Sequence, residues 1–400
     1  MFDVKKMFDP ALSSYKPPKS SAYASWGDSK SISLSGGYPD PAYYPWQLIA
    51  KLATESLEAD YPRILAYGMP NGFPELRQWV AEHSLKNGVD VSPDQVIICD
   101  GSTETMSLVA RLLLQPGDKM VMEAPSYSGA VSVFKMSGAH VEQIPMDSEG
   151  IDIEKLEAYC IQTKAEGRPL KLVYIMPNYH NPLGTSTTLD RRQALVSLAQ
   201  KYEFVILEDD AYIEFIYEGE RLPSIKSFDT DGHVIYTSTF SKPLAPGLRL
   251  AWIIASPEII MALARLKGNI NMSANHLGQA IALRYCKEGH IYKHIEKMNQ
   301  IYKRKKDLML TTLEQNMPDF VTWTKPSGGF FLWVEIEEGR VDGIELLKET
   351  NGKVSYRPGD SFYTDEQGLN QLRLCFTFET EANIEKGIII LADAIKKLAK

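Results

Sequence analysis

His233-Val-Ile-Tyr-Thr-Ser-Thr-Phe-Ser-Lys-Pro-Leu-Ala-Pro-Gly-Leu-Arg249 opens as an apolar, strand-like run and ends among groups that do chemistry. Hydroxyls at Thr239 and Ser241 precede Lys242, and Arg249 follows it seven residues on. An amine is nucleophilic only when unprotonated, a state that burial or a nearby cation promotes. A lysine flanked by Ser, Thr and Arg suits a Schiff base to an aldehyde that also carries a phosphate. Alone, the stretch is equally what a solvated surface lysine looks like in a chain with 43 Lys and Arg. Its weight comes from the stretches around it.

Upstream, strands and helices alternate. Gln95-Val-Ile-Ile-Cys99 reads as a buried strand, and Ser102 to Leu114 as a helix with Met106, Val109, Ala110 and Leu113 on one face. Strands follow at 119–122, 140–144, 170–176 and 204–207, and helices at 127–137, 154–164 and 189–202. Strands at 233–237 and 248–255 bracket the lysine. Such alternation implies a mostly parallel sheet covered on both faces, with ligands beyond the carboxyl ends of the strands. Ser102, Asn181, Asp209 and Lys242 all fall just after predicted strands.

The ends of the chain read differently. Residues 13–31, rich in Ser, Lys and aromatics, predict an extended arm, and Gly36-Gly37 allows a close backbone approach. A helix over 47–57, a loop over 61–74 and a helix over 75–86 come next. Beyond 257 the pattern predicts helices at 257–265, 274–286 and 290–316, a hairpin about Gly328-Gly329, a helix at 344–349, a strand at 371–376 and a terminal helix. The expected fold is α/β. A three-layer α/β/α large domain with a mostly parallel sheet spans 46–290, and a smaller α+β domain spans 291–400. An arm over 1–45 contributes to the small domain and to the cover of the active site.

A formal net charge of -8 argues against nucleic acid or an anionic membrane as partner. No apolar run is long enough to span a bilayer, and residues 1–10 lack a signal-peptide core. Four scattered cysteines form no C-x-x-C pair, and Cys99 and Cys375 read as buried thiols of a reducing compartment. The expected location is cytoplasmic.

Three stations join the lysine. Asp100-Gly-Ser-Thr opens a helix, and its first amides and hydroxyls can hold an anion, although an ordinary N-cap serine looks the same. Asn181, held before Pro182, can donate its amide to a ligand oxygen. Glu208-Asp-Asp-Ala-Tyr212 ends an apolar strand in three carboxylates, costly unless something positive is waiting. A protonated ring nitrogen would answer that. A metal is not expected, because His180 and His233 make no ligand spacing with these acids. For Glu208 and Asp210 a solvated cap is the expectation.

Together with Leu34-Ser-Gly-Gly-Tyr-Pro-Asp-Pro, Tyr67-Gly, Pro125-Ser-Tyr, Asn181-Pro-Leu-Gly, Pro326-Ser-Gly-Gly and Leu372-Arg-Leu, these stretches resemble fold type I pyridoxal-phosphate enzymes. More narrowly, they resemble class I/II aminotransferases, near the kynurenine/2-aminoadipate subgroup and the aminotransferase half of MocR-type regulators. With no winged-helix segment in front, the regulator reading falls.

The resemblance implies roles. Lys242 would hold pyridoxal 5'-phosphate as a Schiff base and then move the α-proton, and Asp209 would keep the ring nitrogen protonated. Asn181 and Tyr212 would bind the ring's phenolic oxygen, and Tyr127 would stack on the ring. Ser102, Thr103, Thr239, Ser241 and Arg249 would hold the phosphate, with Tyr67 reaching in from the other subunit of a homodimer. Arg373 would grip the substrate α-carboxylate, with Asn181, Gly36 and Gly37 on the substrate side. The implied activity is amino transfer between an α-amino acid and a 2-oxo acid. A lyase, decarboxylase or replacement enzyme on the same cofactor is the alternative, and a non-catalytic ligand-sensing domain is a further one. The chain departs from the family at Leu183 (usually Thr), Thr103 (often Gln in this subgroup) and Ala251 (commonly Gly). Residues 1–31 do not match the subgroup's N-terminal helix.

Overall fold

The computed structural model describes residues 2–8, 17–20, 31–365 and 367–399. Most of the predicted arm over 13–31 lies outside them. At the centre is an eight-stranded sheet in the order Val96–Cys99, Ala251–Ile254, Val234–Thr239, Val205–Asp209, Leu170–Ile175, Lys119–Ala124, His140–Asp147, Gly150–Ile151. The five strands from Val234–Thr239 to His140–Asp147 pair in parallel. Ala251–Ile254 runs against both its neighbours.

Period-two alternation explains why both faces are covered. Ile97 and Cys99 pack into one apolar cluster with Met106 and Val109, while Val96 and Ile98 pack into another with Leu76 and Trp79. Each face therefore needs its own helical layer. All four cysteines are buried free thiols.

Because the parallel strands point one way, the turns after Cys99, Ala124, Ile175, Asp209 and Thr239 gather at one edge of the sheet. Ala251–Ile254 starts at that edge because it is reversed, which brings Arg249 back beside Lys242.

A second, antiparallel sheet of Val321–Trp323, Phe331–Ile336, Gln371–Cys375 and Arg357–Pro358 faces this edge. The helices His290–Asn316 and Glu381–Leu398 pack together behind it. The N-terminal strand Ile32–Ser33 pairs in parallel with Val354–Ser355. A buried ion pair, Lys305 Nζ to Asp40 Oδ2 at 2.7 Å, ties the segment after it to the long helix.

Two boundaries differ from expectation. The helix predicted at 47–57 runs over Trp46–Ile64, taking in part of the predicted loop at 61–74. Asp60 breaks the helical geometry (φ −154°, ψ 46°), so Pro62 falls in the first turn of a new segment, where a missing N–H costs nothing. The strand expected at 248–255 begins only at Ala251, because Pro246–Leu248 forms a 3₁₀ turn and Arg249 takes a left-handed conformation (φ 51°). Among the described residues no helix is long and apolar enough to cross a membrane.

Candidate active site

The strand ends, the segment after Ile32 and the second sheet enclose a cavity of about 770 Å³. Its walls include Gly36, Gly37, Ser102, Thr103, Tyr127, Asn181, Asp209, Tyr212, Ser241, Lys242, Arg249 and Arg373, which the sequence scatters over more than 330 positions. Two predicted site residues are not in the wall. Thr239 lies behind it, where its hydroxyl donates to Leu250 O at 2.9 Å and accepts from the Ser241 amide at 3.0 Å. It positions Ser241 from behind. Tyr67 lies on the outer surface, 90% exposed.

The three carboxylates of Glu208-Asp-Asp are all buried, so the solvated cap expected for Glu208 and Asp210 is incorrect. Both oxygens of Glu208 accept backbone amides, from Ile225 and Lys226, each at 2.8 Å. Asp210 accepts from Asn178 Nδ2 at 2.9 Å and from the Tyr236 hydroxyl at 3.4 Å. Fully buried Arg192 supplies countercharge while donating to Asn178 Oδ1 at 2.7 Å.

Alternation turns Asp209 the other way, into the cavity. Its Oδ2 accepts the Tyr174 hydroxyl at 2.7 Å, and its Oδ1 has no partner among the described residues. Burial raises its pKa to about 6, against the opposing Tyr174 bond and Lys242 charge. A buried acceptor without a donor is costly, and here it points at a ligand that brings its own proton.

Lys242 opens onto the same cavity. Its Nζ donates to Gly37 O at 2.8 Å. Desolvation brings its pKa down to about 8 from an ordinary 10.5. Gly37 must be a glycine: a Cβ there would come within 2.8 Å of the Phe331 ring. Tyr212, packed edge-on against Phe330 and Phe331, forms the adjoining wall. Burial pushes its phenol pKa up.

At the other end the helix Ser102–Leu113 opens toward the cavity after Gly101 (φ 94°). A Cβ on Gly101 would lie 2.1 Å from Arg249 Nη2, so only glycine lets the guanidinium lie along this turn. Among the described residues Arg249 makes only long bonds, 3.3 Å to Asp100 O and 3.4 Å to Pro246 O. Helix amides, the hydroxyls of Ser102 and Ser241 and this guanidinium together form an anion cradle. Lys267, Asn271 and Asn275 brace the Asp100 side chain from behind.

Arg373 lies across the cavity from the cradle. Its Nη1 donates to Asn181 Oδ1 at 2.9 Å and its Nη2 to Ser35 O at 2.5 Å, and its guanidinium lies 4.1 Å above the Phe331 ring. The loop carrying Asn181 is supported by a buried pair, with Glu123 Oε2 3.1 Å from His180 Nε2.

Sequence reading missed Tyr174, Lys267, Glu123, Arg357 and Glu379. A tyrosine inside the apolar strand Leu170–Ile175 was the available signal for Tyr174, since a buried phenol needs a polar partner. The others carry no local pattern.

The cavity joins a lysine amine of lowered pKa, a carboxylate with an oxygen to spare, a cluster of helix amides, hydroxyls and a guanidinium, and a second arginine held by Asn181 and Ser35. The comparisons agree with that class of enzyme. Residues 32–390 match the family described as Aminotransferase class I and II. The aromatic-amino-acid aminotransferase 1 of Thermococcus litoralis is 39% identical over 370 residues, covering 92% of this chain and 89% of that protein. The crystal structure of a multiple substrate aminotransferase from Thermococcus profundus superposes with a TM-score of 0.92 at 36% identity, over 99% of both chains. A kynurenine aminotransferase of Pyrococcus horikoshii, solved with PMP, substrate and product, gives 0.93 at 36% identity, over 99% of this chain and 98% of that one. The chain belongs to the class I and II aminotransferase family. It is an aminotransferase of fold type I, in the kynurenine/aminoadipate subgroup.

Proposed function

We propose that this aminotransferase binds pyridoxal 5'-phosphate in the cavity and moves an amino group between an α-amino acid and a 2-oxo acid. The observation that carries the reading is the unpartnered Oδ1 of Asp209, facing the same cavity as the Lys242 amine. The residues fit the cofactor. The cradle of Ser102, Thr103, Ser241 and Arg249 would hold its phosphate, and Asp209 would hold a proton on its ring nitrogen. Asn181 and Tyr212 would hold its phenolic oxygen, and Tyr127 would cover a ring face.

Bound there, pyridoxal phosphate supplies an aldehyde for the amino group and a ring that draws electron density from the α-carbon. Lys242 supplies a neutral amine near pH 8 and then a base able to carry the proton at the α-carbon. Arg373, oriented by Asn181 and Ser35, holds the substrate α-carboxylate. Tyr212 and Phe331 exclude water from one wall.

The working unit in this reading is a homodimer, each site completed by the partner subunit's Tyr67. Leu65 and Met69 beside Tyr67, and Trp46 at the start of the preceding helix, are each more than 60% exposed, as suits a surface that another subunit covers. The test is to mix the holoenzyme with a panel of α-amino acids and follow cofactor absorbance. Conversion to the pyridoxamine form, reversed by a 2-oxo acid, is expected. Release of ammonia or carbon dioxide would overturn transamination in favour of a lyase or decarboxylase.

A further inference from the structure

Glu123 and His180 are both fully buried, with Glu123 Oε2 3.1 Å from His180 Nε2. Neither lines the cavity, but each leads to a residue that does. Glu123 is the last residue but one of the strand Lys119–Ala124, which runs on to Tyr127, and His180 directly precedes Asn181. His180 Nδ1 accepts the Leu183 amide at 3.4 Å, so the ring's proton is on Nε2 and faces the carboxylate. Their contact lies off the line of a hydrogen bond, and among the described residues Nε2 and Glu123 Oε1 have no hydrogen-bond partner. Two buried polar groups so placed answer only to each other, and the low dielectric of the core strengthens their attraction.

The pair clamps one strand end to the next. Glu123 Oε2 also accepts the Met176 amide at 2.9 Å, where the segment leading to Asn181 begins. His180 closes the turn of that segment through its backbone as well, donating to Thr185 O at 2.7 Å and accepting the Gly184 amide at 2.6 Å. Asn181 Oδ1 is spent on Arg373 Nη1 at 2.9 Å, which leaves the side chain its Nδ2, a donor, to offer a ligand.

We infer that Glu123 and His180 are a positioning pair, which holds Asn181 so that its Nδ2 donates to the phenolic oxygen of the bound cofactor and keeps that oxygen ionised. The inference rests on the proposed pyridoxal phosphate site for its ligand, but not on the reaction. A donor favours the ionised form of an oxygen only where its geometry is kept, so slack in the turn raises the proton affinity of the cofactor's phenol. A competing path runs through Tyr174. Burial and Asp209 raise the pKa of that phenol and the Glu123 charge adds to them, so the carboxylate could reach the cofactor through Asp209 instead. The two paths part at Asn181.

The absorbance of the holoenzyme is titrated against pH in His180→Phe/Glu123→Gln. The phenyl ring keeps the shape of the imidazole, the glutamine keeps an acceptor for Met176, and no charge is left buried alone, so the unfolding temperature should change little. The midpoint of the titration is expected to rise by about one pH unit, a tenfold gain in proton affinity. In an Asn181→Ala background, whose own midpoint is raised, the same two changes should add nothing. Identical profiles in the unaltered and doubly changed proteins overturn the inference. An equal shift in both backgrounds overturns it too, in favour of the path through Tyr174 and Asp209.

If the double variant does not fold, His180→Asn and Glu123→Gln replace it singly. An asparagine oxygen can still accept the Leu183 amide, and each single change is expected to give a smaller rise that vanishes in Asn181→Ala. A lowered unfolding temperature with an unmoved midpoint shows the pair serving the fold alone. If amino acids leave the cofactor unconverted while the midpoint still moves through Asn181, the transamination reading fails and the positioning pair stands. A protein that takes up no pyridoxal phosphate defeats both.

Discussion

The Tyr174 hydroxyl donates to Oδ2 of Asp209 at 2.7 Å and leaves Oδ1 free, so one phenol sets which oxygen of this buried carboxylate meets the cavity. That bond favours the ionised carboxylate, against the burial that raises its pKa to about 6.

Tyr174→Phe removes the bond and should raise the Asp209 pKa by about one further unit. Asp209 is charged above its pKa and neutral below, so activity falls as pH drops through it. The acid limb of the kcat profile is therefore expected to move upward by about one unit, with kcat near pH 6 reduced roughly fivefold. An acid limb that stays in place would show that Asp209 does not govern it.

Asp209→Asn and Asp210→Asn should separate cleanly. Asp209→Asn is expected to lose turnover on the order of a hundredfold while cofactor affinity changes little, because an amide cannot hold the ring nitrogen protonated. The Asp210 carboxylate accepts from Asn178 and Tyr236 beside the Arg192 charge, and Asp210 is not in the cavity wall. Asp210→Asn should cost about 1–3 kcal/mol of unfolding free energy with kcat nearly intact. Thermal unfolding and kcat, measured on both variants, check the split, and a reversed pattern would contradict the assigned faces of the strand.

Lys242, with its pKa lowered to about 8, is neutral above that pH and protonated below it. In the cofactor-free protein, addition of pyridoxal phosphate should speed up with rising pH and level off above about 8. An amine still gaining reactivity toward 10.5 would show that it is as well solvated as a surface lysine. Borohydride reduction and peptide mapping should place the label on Lys242.

Tyr67, exposed in the single chain, is assigned to the partner's site. Co-refolding Lys242→Ala with Tyr67→Ala then yields mixed dimers in which one site carries both lesions and the other carries neither. Activity is expected to reach about one quarter of the unaltered enzyme for random pairing of equal amounts, since half the dimers keep one intact site of two. If Tyr67 served its own chain, every mixed site would keep a lesion and no recovery would appear. The loss in Tyr67→Ala alone is measured first.

Sequence alone determined the alternating strands and helices, the sheet's two covered faces and the chemical stations at the strand ends, because each of these is written in periodicity over a few neighbouring residues. The helix Leu189–Tyr202 could be bounded that way to the residue. Lys242 and Arg373 were legible too, through motifs that keep their local spacing. Tertiary structure alone decided which of three adjacent carboxylates has an oxygen to spare. That depends on Tyr174, 35 positions away on a neighbouring strand, and on the backbone amides of Ile225 and Lys226, which occupy Glu208. It also set the Gly37 carbonyl against an amine 205 positions away, and Arg357 opposite Arg373. Such relationships are fixed by strand register and by the approach of two sheets, and a long-range register leaves no trace in the periodicity of either segment.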